Sequence, residues 1–148
     1  MLSSSLNIVR NKADFFNITV VANLDPSLAL VQADAPQLQQ VFLNMIVNAA
    51  DACEGKGTIT ITSKNISENG NDLVEVEFRD TGYGIKDEDL EKIFEPFFTT
   101  KPVGKGTGLG LAVTHGIIQE HGGKITINTK VGEGTSFFIR LPALKETS

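Results

Sequence analysis

The strongest constraint on how this chain folds is an apolar stripe. Leu38, Val41, Phe42, Met45, Ile46 and Ala49 recur at i, i+3, i+4, i+7, i+8 and i+11. Only an α-helix brings those side chains to one face. Asp34 stands where an N-cap is wanted and Pro36 falls in the first turn, so the helix is expected to begin there. Gly55-Lys56-Gly57 is expected to end it.

A helix with one wide apolar face needs a sheet to lie on. Residues 58–64 and 73–79 alternate and are rich in β-branched residues, with Glu68-Asn69-Gly70-Asn71 between them. They read as an antiparallel pair. Residues 18–22 and 28–32 read as short strands around Asp25-Pro26-Ser27, and 124–130 with 135–141 as a closing hairpin through Val131-Gly132-Glu133-Gly134. A short helix is expected over 87–93, a loop over 96–107 and a second long helix over 108–121, stopped by Gly122-Gly123. Leu109, Ala112, Val113, Gly116 and Ile117 are expected to share one face of that second helix. Helices and antiparallel strands interleave without a regular βαβ repeat. The expected class is therefore α+β: a two-layer α/β sandwich, its mixed, mostly antiparallel sheet carrying helices on one face.

A length of 148 residues suits a single domain spanning 1–148. The net charge of −5 argues against nucleic acid as a partner. Cys53 is the only cysteine, which rules out an intrachain disulfide, and a structural zinc site is not expected without a Cys/His cluster. Residues 1–20 are polar and interrupted, unlike a signal peptide, and the apolar run around 41–47 is too short to span a bilayer. A cytoplasmic, monomeric domain without direct membrane contact is expected, although a longer parent protein can still be membrane-anchored.

Three segments carry chemistry. Asn44 and Asn48 lie four apart beside the apolar stripe, about 40° apart around the helix and one turn above each other. Asn is a middling helix former, and its carboxamide oxygen is a hard ligand suited to Mg²⁺. Taken alone, the pair also suits surface or capping asparagines. Asp80 ends a strand and is followed by Thr81-Gly82-Tyr83-Gly84-Ile85. A carboxylate there can accept a hydrogen bond from an exocyclic amine such as adenine's, and the glycines permit close backbone approach. An ordinary turn with a polar cap has the same appearance. Gly104, Gly106, Gly108 and Gly110 alternate and open into a helix, with Lys101 and Lys105 just upstream or among them. Bare amides at a helix N-terminus form an anion site, and the lysines are placed to add point charges at phosphates. The spacing matches neither the dinucleotide nor the P-loop pattern. A flexible loop is the plainer alternative. Phe94, Phe97 and Phe98 read as a hydrophobic staple fastening this segment to the core, and as the anchor of a flap that closes over nucleotide. His115 and His121 read as surface or terminal, the latter favourably placed as a partly cationic ring at a helix end.

With those residues in view, the chain resembles the catalytic ATP-binding domain of bacterial two-component sensor histidine kinases, in the GHKL ATPase superfamily. Residues 44–49 match the N box, 80–85 the first glycine box, 94–101 the F box and 106–111 the second glycine box, with a further glycine-threonine segment at 132–135. The resemblance implies that Asn48 coordinates Mg²⁺ and that Asn44 lies in the phosphate site. Asp80 would read the adenine amino group, with Gly82, Gly84, Ile85 and Thr135 close by. Phe98, Thr99, Gly106, Thr107, Gly108, Leu109 and Gly110 would contact nucleotide on or beside an ATP lid of about residues 97–107. Asn44, Asn48, Lys101 and Lys105 are the candidate catalytic groups. Many members carry Lys or Arg where Asp51 stands, so that position contributes no positive charge and the work is expected to fall on Lys101 or Lys105. Water-activating relatives such as gyrase have glutamate at the position of Asn44, and a carboxamide cannot act as a general base near neutral pH.

The function this implies is Mg-ATP-dependent transfer of the γ-phosphate to a histidine on a separate phosphoacceptor and dimerisation domain, with a response regulator downstream. No H-E motif of an acceptor helix occurs in the chain, so that domain is expected elsewhere in a longer parent. Two rivals are an anti-sigma-type serine kinase of the same superfamily and a non-catalytic nucleotide-dependent interaction module.

Overall fold

The structure, a computed structural model, describes residues 18–25, 31, 33–53, 56–95 and 110–143. Five strands, β1 (Ile18–Leu24), β2 (Gly57–Glu68), β3 (Asn71–Asp80), β4 (Lys124–Lys130) and β5 (Gly134–Pro142), form one sheet in the order β1-β2-β3-β5-β4. The helices are α1 (Ala35–Ala52), a single turn α2 (Asp87–Leu90) and α3 (Gly110–Glu120). β1 runs parallel to β2 and every other pairing is antiparallel. A parallel pair needs a crossover, and α1 supplies it. The expected α+β sandwich with a mixed sheet is the one found.

The stripe on α1 is buried as expected: Leu38, Val41, Phe42, Met45, Ile46 and Ala49 all lie in the core. Asp34 is the N-cap, its carboxylate accepting from the Gln37 N–H at 3.0 Å. The stripe meets Ile59, Ile61, Val74, Val76, Phe78, Phe137, Ile139 and Leu141. These alternate along their strands, so they come from one face of the sheet. The opposite face is polar. There Glu75 is buried to 4% exposure, held by Arg140 Nε at 2.9 Å and Lys64 at 3.6 Å. Ile46 is fully buried, so Ile46→Ala is expected to lose about 2–5 kcal/mol of stability in urea titrations, against less than about 1 kcal/mol for exposed Gln40→Ala.

Several boundaries differ from expectation. β2 and β3 run on to a two-residue turn, because Glu68 pairs with Asn71. Asn69 and Gly70 take φ of 53° and 80°, the left-handed pair of a type I′ hairpin turn. The short helix stops at Leu90 and continues as turns. The expected strand at 28–32 is described only at Val31, which is not in a strand, and the loop at 96–107 lies outside the described residues. The largest correction concerns α3. Its buried residues are Thr114 and Ile118, while Val113 is 45% exposed and Gly116 is exposed. Apolar residues surround α3 almost completely, so periodicity alone could not select its inward face.

His121 follows the end of α3, as expected, whereas His115 is half-buried. His121 Nδ1 donates to the Ile117 carbonyl at 2.8 Å, and Nε2 accepts from the Asp34 N–H at 3.0 Å. His121 thus ties the end of α3 to the start of α1. His115 is stacked on Phe94, ring centroids 4.9 Å apart. Phe94 thus fastens to α3, while Phe97 and Phe98 lie outside the described residues.

Candidate functional site

Of the described residues singled out in the sequence, Asn44 and Asn48 lie on one face of α1, with Gly110 and Gly82 against it. Asn44, Asn48 and Ala52 follow one another at intervals of four, a spacing of about 6 Å per step on a helix. At one end, Asn44 Nδ2 donates to the Gly110 carbonyl and to Thr114 Oγ1, both at 3.3 Å, and Oδ1 accepts from Gln40 Nε2 at 2.8 Å. Thr114 is fully buried. The carboxamide of Asn44 is therefore engaged in fastening α1 to the first turn of α3. At the other end, the Ala52 carbonyl accepts from the Tyr83 N–H at 3.2 Å. Asn48 lies between these anchors, half-buried, and its carboxamide makes no hydrogen bond to another described residue.

The turn after β3 is shaped by close backbone approach. A Cβ at Gly82 would lie 2.4 Å from the Ala52 carbonyl oxygen, closer than any side chain permits, so the turn can rest on α1 only with glycine there. Gly84 has φ +79° and would place a Cβ 2.5 Å from the Lys130 carbonyl oxygen. The Gly132 N–H donates to the Tyr83 carbonyl at 2.8 Å. The turn is thus held between the end of α1 and the β4–β5 hairpin.

Asp80 is 2% exposed. Its Oδ1 accepts from the Gly82 N–H at 2.8 Å, and the Thr135 backbone N–H also bonds the carboxylate. Burial pushes the carboxyl above its ordinary value, and those two N–H groups oppose the shift. Neighbouring Cys53 is buried, and desolvation raises its thiol, leaving it a packing residue.

Thr135 faces Asp80 in the ladder, as expected, and Thr129 faces Thr135. Thr129 was not singled out in the sequence. Its Oγ1 accepts from the Ile85 N–H at 2.9 Å, donates to the Gly134 carbonyl at 3.1 Å and lies 2.8 Å from Thr135 Oγ1. The available signal was its position: alternation along β4 puts Thr129 on the inward face with Ile125 and Ile127, a polar group where a third isoleucine would fit the pattern. Of the other expected site residues, Gly110 opens α3. Lys101, Lys105, Phe98, Thr99, Gly106, Thr107, Gly108 and Leu109 lie outside the described residues.

The family described as "Histidine kinase-, DNA gyrase B-, and HSP90-like ATPase" matches residues 33–145. Sensor histidine kinase ZraS of Salmonella typhi is 42% identical over 144 residues, covering 97% of this chain and 30% of that protein. Sensor kinase CckA of Brucella abortus is 49% identical over 127 residues, covering 78% of this chain and 13% of that protein. The chain thus spans less than a third of the length of either relative. Among solved structures, the nucleotide-free catalytic domain of histidine kinase ThkA superposes with a TM-score of 0.81 at 35% identity, covering 96% of this chain and 91% of that one. Matched in sequence over most of its length and in fold almost throughout, the chain belongs to the histidine kinase-, DNA gyrase B- and HSP90-like ATPase family, as a catalytic ATPase domain of the two-component histidine-kinase type.

Proposed function

We propose that this domain binds Mg-ATP and presents the γ-phosphate to a histidine on a phosphoacceptor domain of its parent sensor kinase, which then passes it to a response regulator. The observation that carries this reading is the state of position 44. Asn44 is a carboxamide tied to Gly110 and Thr114, and it cannot take a proton from water near neutral pH. A site of this kind holds ATP until another nucleophile arrives, and a neutral imidazole is nucleophilic without a base.

The residues present suit the ligand. Asp80 offers a buried acceptor for the adenine amine, Gly82 and Gly84 leave the backbone bare beside it, and Asn48 has a carboxamide oxygen that no other described residue engages, which suits Mg²⁺. Asn48 would hold such an ion, which would supply charge neutralisation at the transferring group. Asn44 holds α3 in place, so that the helix N-terminus faces the phosphates. Lys101 and Lys105 complete the reading as phosphate contacts within a lid of about residues 97–107. Working as one domain, the chain needs no second copy, no nucleic acid and no membrane surface for this chemistry. Among the described residues no helix is long and apolar enough to cross a membrane, and a cytoplasmic setting, where ATP is available, suits the reaction.

The test mixes the chain with γ-labelled ATP, Mg²⁺ and the parent's phosphoacceptor domain. Label that is lost in acid and retained in base is expected. Acid-stable label would replace this reading with the serine-kinase one. ATP binding with no transfer would leave a nucleotide-dependent interaction module.

A further inference from the structure

We propose that Thr129 is a specificity-determining residue that makes the site select a 6-amino over a 6-oxo purine. The inference rests on the adenine reading of the Asp80 turn and deepens it. Thr129 Oγ1 has three partners: the Ile85 N–H at 2.9 Å, the Gly134 carbonyl at 3.1 Å and Thr135 Oγ1 at 2.8 Å. A hydroxyl has one proton and two lone pairs. The Ile85 N–H can only donate, so it takes one lone pair. The Gly134 carbonyl can only accept, so it takes the proton. The remaining lone pair faces Thr135, which must therefore donate. This is the one arrangement with a proton in every contact. The reverse would set the Thr129 oxygen against the Gly134 oxygen with nothing between them.

The consequence falls on Thr135. Its only hydroxyl proton is committed to Thr129, so on every other side it presents lone pairs. Thr135 neighbours Asp80 in the ladder, and an ionised carboxylate is also acceptor-only. A base entering here meets two acceptors. Adenine satisfies them through its 6-amino group. A 6-oxopurine carries a proton on N1, which Asp80 alone could accept, but its carbonyl would then face the Thr135 oxygen without a proton. Asp80 by itself does not exclude the 6-oxo base. The exclusion depends on the proton that Thr129 holds in place. A site whose polar groups are left unpaired by the wrong ligand discriminates strongly.

The test measures affinities of the 148-residue chain for ATP and for ITP, which has a 6-carbonyl, in Mg²⁺ by calorimetric titration. Thr129→Val keeps the shape and removes the hydroxyl, so Thr135 becomes free to donate to a carbonyl. The preference for ATP over ITP is expected to fall by about tenfold or more in Thr129→Val and to stay within about twofold of wild type in Thr129→Ser. A purely structural role would weaken both nucleotides by the same factor and leave the ratio unchanged, and that outcome overturns the proposal. Thr129→Ala removes the same oxygen and must reproduce the drop if the valine variant does not fold. Failure of folded wild type to bind ATP would overturn the adenine reading itself. ATP binding with an unaltered ratio in both hydroxyl-less variants would overturn only the role of Thr129.

Discussion

Asp80→Asn is expected to reduce ATP affinity by about 10- to 100-fold, the loss of a hydrogen bond to a charged acceptor, while the nucleotide-free domain stays within about 1 kcal/mol of wild type. The two effects separate because the carboxylate is unfavourable to the fold that holds it. Asp80 is 2% exposed, and its carboxyl is raised above the ordinary 3.8 chiefly by burial. Since the folded protein binds the proton more tightly than the unfolded chain, stability falls as pH rises from the ordinary value through the raised one. Below that window the group is protonated in both states and costs nothing. Above it the full desolvation penalty applies. Asparagine removes the charge and hence this contribution to pH dependence. Urea titrations at pH 4 and pH 7 on both proteins, together with ATP titrations at pH 7, measure the two parts. Unchanged ATP affinity in a folded Asp80→Asn chain would remove Asp80 from the site, and an identical pH dependence of stability in both proteins would show that burial does not perturb the carboxyl.

Legibility in the sequence followed the range of the forces involved. α1 could be read because one face is apolar and the other is not, and because Asp34 caps it from three residues away. The strands could be read from alternation, but their ends could not. Whether β2 stops at Lys64 or Glu68 depends on the whole register with β3 through the Asn69-Gly70 turn. α3 failed for the opposite reason: Leu111, Ala112, Val113, Ile117 and Ile118 leave little contrast between faces, and one of its two buried residues is a threonine. Thr114 is buried because Asn44, 70 positions earlier, gives its hydroxyl a partner. Thr129 was hidden likewise, since Ile85 is 44 positions away. Local pattern shows which residues are polar. Only the assembled sheet shows which polar residues share protons.

The two asparagines of α1 look equivalent in sequence, and the structure gives them different surroundings. Asn48→Ala is expected to abolish detectable phosphotransfer and to weaken Mg-ATP binding by at least about 100-fold, with stability unchanged or higher by a few tenths of a kcal/mol. The side chain is half-buried and bonds no other described residue, so no hydrogen bond to the described fold is lost, and alanine is the better helix former. Asn44→Ala is expected to behave in the opposite sense on stability. It strips two bonds from the α1–α3 contact and leaves the fully buried Thr114 hydroxyl without its Asn44 partner, at a cost of about 1–3 kcal/mol. Its effect on ATP should follow from displacement of the α3 N-terminus, and so weaken ATP and ADP alike. Thermal melts of the two nucleotide-free variants, followed by Mg-ATP and Mg-ADP titrations, distinguish these roles. If Asn48→Ala destabilised the fold as much as Asn44→Ala, Asn48 would be a second structural asparagine, and the metal would need another ligand. If instead Asn48→Ala melted like wild type and still bound Mg-ATP normally, Asn48 would be neither a metal ligand nor a phosphate contact, and the proposed Mg²⁺ site on α1 would be wrong.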